Sequence, residues 1–111
     1  MTKRQLIEMI KRVIKEEANK WSVIADGKAE YKNPNGKGYY VISADENVVF
    51  TYSISLHKAD NTIEYIQKNI DGESDINKYL RQFQLPLLST SDIRKLHDSA
   101  SNYYDYLDEL N

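Results

Sequence analysis

The sequence predicts an α+β fold: an N-terminal helix, a small antiparallel meander of three or four strands, then two short helices and a longer C-terminal helix. Two observations carry that expectation. Val48-Val49-Phe50-Thr51-Tyr52-Ser53-Ile54-Ser55-Leu56 alternates strictly, placing Val48, Phe50, Tyr52, Ile54 and Leu56 on one face of an extended strand. The segments on either side of the sheet region instead space their apolar residues as a helix does. A chain of 111 residues fits one domain over residues 1–111, with helices covering the apolar sheet face.

In order, Thr2 and Gln5 stand in capping-box register before a helix over residues 2–19. Leu6, Ile7, Ile10, Val13, Ile14 and Ala18 form its apolar face, with Arg4, Lys11, Arg12 and Lys15 opposite. Trp21 to Ala25 reads as a strand, Asp26-Gly27 as a hairpin turn or a bulge, and Lys28 to Lys32 as the returning strand. Asn33-Pro34-Asn35-Gly36-Lys37-Gly38 is the strongest loop signal. Tyr39 to Ser43 follows as a strand, Asp45-Glu46-Asn47 as a turn, and residues 48–56 as the last strand. From Asp60 the spacing becomes helical, with Ile63, Ile66 and Ile70 on one stripe and Gly72 as terminator. Ser74 is placed to cap a second helix carrying Ile76, Tyr79, Leu80 and Phe83, which stops near Leu85 because Pro86 disfavours helical backbone before it. The last helix begins near Ser89 to Ser91 and buries Ile93, Leu96, Ala100, Tyr103, Tyr104, Leu107 and Leu110.

Composition narrows the function classes. The absence of cysteine excludes disulfides, thiol chemistry and cysteine-based zinc sites. No run is long and apolar enough for a membrane span, and the N-terminus shows no apolar leader, so a cytoplasmic, non-membrane protein is expected. A net charge of −2 argues against a nonspecific nucleic-acid binder. The charge is unevenly distributed: residues 1–20 carry six basic and three acidic side chains, residues 89–111 two basic and five acidic.

Motifs for catalysis are missing. His57 and His97 fall in no metal-ligand spacing. Asn35-Gly36-Lys37-Gly38 leads into a strand, whereas a phosphate-cradling loop must open a helix. Asp71-Gly72-Glu73-Ser74-Asp75 lacks the ligand order of a calcium loop, and no serine sits in a nucleophile motif. Lys37-Gly38-Tyr39 begins like an RNA-binding strand signature, but Tyr40 and Val41 break it. The expectation is therefore a protein that is not an enzyme and takes no cofactor and no metal.

What remains is surface chemistry. Nine tyrosines against two phenylalanines favour interfaces as well as core edges, because tyrosine joins apolar area to a polar tip. The final helix sets such rings among carboxylates, which can engage a basic groove on a partner in the manner of a nucleic-acid mimic. The expected function is a small protein-interaction module, accessory or inhibitory, such as a phage or mobile-element inhibitor of a host defence nuclease (a CRISPR nuclease, for example). Its contacts would be Asp98, Asp105, Tyr106, Asp108 and Glu109. One alternative is a nucleic-acid-binding regulator using Arg4, Lys11, Arg12, Lys15 and Lys37. Another is an immunity protein or antitoxin.

Overall fold

Short polar turns between β-branched and aromatic runs fold residues 22–71 into one antiparallel sheet. A computed structural model describes residues 20–33 and 38–110. The strands are β1 (Ser22–Ile24), β2 (Lys28–Lys32), β3 (Tyr39–Ala44), β4 (Thr51–His57) and β5 (Ile63–Asp71), in the spatial order β1-β2-β3-β4-β5. A 3-10 turn at Glu73–Asp75 leads into α1 (Ile76–Gln82), and α2 (Thr90–Leu110) closes the chain. The α+β class stands, but the expected arrangement does not. The sheet has five strands rather than three or four, and one short helix precedes the long one where two were expected. The helix expected over residues 2–19 lies outside the described residues, as do Arg4, Lys11, Arg12, Lys15 and Lys37.

The expected helix after Asp60 is instead β5: of the isoleucines that suggested it, Ile66 and Ile70 pack toward the core, while Ile63 is exposed on the opposite face. Leu56 pairs with Glu64, Ile54 with Gln67 and Tyr52 with Ile70. The residues of β5 in core-side register are thus three apart where those of β4 are two apart. Two register shifts absorb the extra residues, and Asn69, at φ 60°, lies within the second. The polar cluster read as a helix cap serves the hairpin: the Asp60 carboxylate accepts from the Thr62 amide at 3.0 Å and hydroxyl at 2.6 Å. Lys58 N–H donates to the Thr62 carbonyl at 2.9 Å, closing the turn.

Strand β4 starts three residues later than its alternation implied. Phe50 adopts φ 55° and donates its N–H to the Tyr104 hydroxyl at 3.0 Å. Val48, expected in the core, is 56 % exposed in the turn that precedes the strand. There the Asp45 carboxylate accepts from the Asn47 and Val48 amides at 2.7 and 3.2 Å. Asp26-Gly27 is a hairpin turn. Ile24 pairs with Lys28 across the three-residue turn of Ala25, Asp26 and Gly27, in which Asp26 and Gly27 hold positive φ, 64° and 68°. Gly27 also has no room for a side chain, since a Cβ there would lie 2.7 Å from that of Ala44 and 3.1 Å from the Ala100 backbone.

The core lies between one sheet face and the helices. Its strand residues include Ala29, Tyr31, Ile42, Tyr52, Ile54 and Ile70. The helical side supplies Ile76, Leu80, Leu96, Ala100 and Tyr104. Each large apolar side chain removed from water here stabilises the fold by about 1.5–3 kcal/mol. Helix α1 ends through Gln84, at φ 58°, with Leu85 N–H reaching the Leu80 carbonyl at 2.8 Å. Asn77 fastens the connection to α2 by accepting from Leu88 N–H at 2.7 Å and donating to its carbonyl at 2.9 Å. Ser89 caps α2, accepting the Asp92 amide at 3.0 Å. Leu110, expected on the buried face, is exposed at the helix end.

Candidate functional site

Helix α2 buries Leu96, Ala100 and Tyr104. At about 100° per residue, Asp98, Asp105 and Glu109 share the opposite arc and Tyr106 lies on the flank toward Ser99. All four are exposed. Ser99 fixes that flank to the sheet, donating to the Ile24 carbonyl at 2.7 Å and accepting from Gly27 N–H at 2.9 Å. Between the β1–β2 turn and the helix runs a groove of about 470 Å³. Val23, Ile24 and Ala25 form its apolar floor, and Asp26, Lys95, Asp98, Asn102, Tyr103 and Tyr106 complete its lining. The fold thus brings the expected contacts Asp98 and Tyr106 together and adds Asp26, which is remote in sequence. Asp105 and Glu109 extend the acidic arc beyond the groove, and Asp108 falls on the opposite flank.

The rear of the same helix holds the sheet through tyrosines. The Tyr103 hydroxyl donates to Glu46 at 2.9 Å, and that carboxylate pushes its pKa up. The Tyr104 hydroxyl donates to the Asp45 carbonyl at 2.9 Å, and burial raises its pKa too. His97 stacks on Phe50 with centroids 4.7 Å apart and places Nδ1 2.8 Å from Glu73. The same Glu73 oxygen accepts the Tyr52 hydroxyl at 2.5 Å. Burial, then the Glu73 carboxylate, pushes the Tyr52 pKa far above the usual tyrosine range. Burial also pushes the Glu73 carboxyl up. The bonds from Tyr52, from its own backbone and from His97 outweigh that and hold it below the ordinary glutamate value. This carboxylate–imidazole pair is joined by the Tyr52 hydroxyl of β4. It acts as a brace between the β5–α1 junction and α2.

The opposite face of the sheet has a different chemistry. Cross-strand register places Lys32, Tyr39, His57 and Ile63 in one row, Ser22, Glu30, Val41, Ser55 and Tyr65 in the next, and Ile24, Lys28 and Ser43 in a third. Val41 and Ser55 are buried, while Tyr39 is 41 % and Tyr65 55 % exposed. Tyr39 stacks on His57 at 5.1 Å, and Lys68 sits 4.3 Å over the Tyr65 ring. A groove of about 660 Å³ opens beside Tyr39, lined by Lys20, Ser22, Glu30, Lys32 and Lys58 among others. Lys58 also meets Glu64 at 3.1 Å. Of these residues, the sequence places Tyr39 and His57 in motifs that fail and does not single out the lysines. The signal was the alternation Lys28, Glu30, Lys32 along β2, which marks an outward row once the strand is assigned.

Among the described residues no group of three or more histidines and carboxylates is placed to hold a metal ion, and no helix is long and apolar enough to cross a membrane. The chain matches no family model, no curated protein and no solved structure.

Proposed function

We propose that the protein is a non-enzymatic interaction protein that offers the acidic, tyrosine-bearing side of α2 to a basic groove on a protein partner. An accessory or inhibitory role against a nucleic-acid-handling or defence protein, such as a host nuclease, follows from that chemistry. A row of carboxylates beside aromatic rings competes for the lysines and arginines that otherwise hold phosphates. The observation that carries the reading is the groove in which Asp98 and Tyr106 meet Asp26 over an apolar floor. Tyr106 is the natural anchor, since tyrosine is among the residue types that carry most of the energy of protein association once a partner buries them. Asp98, Asp105 and Glu109 steer a basic partner and set its orientation, with Asp108 contributing from the far flank.

The test is cleavage by a panel of purified host defence nucleases with and without the protein, paired with affinity capture. The unmodified chain is expected to suppress one nuclease and to retain it on a column. Combining Asp98→Lys with Glu109→Lys, or Tyr106→Ala alone, is expected to reduce both by about tenfold or more. Equal capture and equal inhibition by the charge-reversed chain would remove α2 as the docking surface.

A further inference from the structure

We propose that the groove beside Tyr39 binds single-stranded nucleic acid, with Lys20, Lys32 and Lys58 holding phosphates and Tyr39 offering its ring to a base. Three observations converge. Among the described residues, the groove beside Tyr39 carries those three lysines and the Glu30 carboxylate, and Lys58 also pairs with Glu64 at 3.1 Å. Its volume of about 660 Å³ falls in the range of about 300–1,000 Å³ that accepts small ligands, so a nucleotide unit fits. Tyr39 is 41 % exposed, and its stack on His57, with centroids 5.1 Å apart, orients the ring.

Row geometry supports a chain-like ligand over an isolated anion. Lys32, Tyr39 and His57 sit side by side on three adjacent strands, in steps of about 4.8 Å across the sheet. A basic side chain next to a ring is the pairing that lets a groove track a backbone while a base stacks. Tyr65 with Lys68 repeats the pairing farther along the same face. The acidic arc of α2 lies behind the sheet and repels phosphate there, which confines a strand to this face. A duplex is disfavoured because its bases are already stacked and paired, leaving Tyr39 nothing to engage. The site is independent of the proposed protein-docking surface on α2.

The experiment is fluorescence anisotropy with the full chain and a labelled mixed-sequence DNA strand of about fifteen nucleotides, beside its duplex, over a salt titration. The single strand is expected to bind more tightly than the duplex and to weaken steeply with salt. Lys32→Glu with Lys58→Glu should lower affinity at least about tenfold and flatten the salt slope by about two. Tyr39→Ala should weaken binding by about tenfold without altering the slope, and Tyr39→Phe should restore it. Glu30→Gln should tighten binding at low salt. Circular dichroism of each variant confirms the fold. No binding of the single strand at low salt, a preference for the duplex, or unchanged binding by the double-lysine variant would each overturn the assignment; the last would place the anion contacts elsewhere on the chain.

Discussion

The two faces of the sheet use the same residue type for opposite ends. On the helix side, tyrosine hydroxyls are spent on long-range bonds: Tyr104 on the Asp45 carbonyl, Tyr52 on Glu73. On the other side, Tyr39 and Tyr65 use their rings, against His57 and Lys68, and stay exposed. The high tyrosine count of this chain therefore reflects two demands. One is fastening, where the polar tip matters. The other is surface recognition, where the ring face matters. A tyrosine-to-phenylalanine change separates them, because it removes the tip and keeps the ring.

The contrast can be broken most forcefully in the core. Leu96→Ala is expected to lower stability by about 2–5 kcal/mol in urea unfolding, whereas Ile63→Ala on the opposite face should stay within about 0.5 kcal/mol. Gly27→Ala forces a Cβ against Ala44 and Ala100 at a positive φ. It should cost about 2–4 kcal/mol by the same measurement. Tyr104→Phe strands the Asp45 carbonyl and the Phe50 amide. The expected loss is about 1–3 kcal/mol, while Tyr39→Phe should leave the melting temperature unchanged.

The smallest effect is that of acid. Folding holds the Glu73 carboxyl below its ordinary value of 4.5. Its contribution is therefore complete above that value and fades as pH falls through the lower folded-state pKa. Glu73 is partly exposed, so solvent screens the pair with His97 and the step should be shallow. Glu73→Gln should flatten the acid limb of the stability–pH curve. An unchanged limb would show that other carboxylates control acid unfolding.

What could be read from the sequence was local. The Tyr52–Ile54–Leu56 part of the β4 alternation, the turn at Asp26-Gly27, the start of α2 near Ser89 and the Leu96–Ala100–Tyr104 stripe each depend on neighbours a few residues away, and each appears in place. Residues 63–71 failed because Ile63, Ile66 and Ile70 share the spacing of a helix face but divide between the two faces of a strand, and Phe50 left β4 because a hydroxyl from residue 104 claims its amide. The candidate sites divide in the same way. Asp98 and Tyr106 were visible on one helix. Asp26 was not, since Ser99 brings its turn to the helix across 75 positions from Ile24. The row of Lys32, Tyr39 and His57 exists only once the strands are in register, so no linear pattern announces it.

The bulges of β5 have one more effect. An outermost strand normally offers a ladder of unpaired amides and carbonyls to any extended chain nearby. In β5 the two register shifts and the left-handed Asn69 interrupt that ladder, and β1, at the other margin of the described sheet, is three residues long. With exposed Ile63 and Tyr65 on its rim, a straight β5 would be a template for fibril growth. That irregularity is what lets the sheet end there.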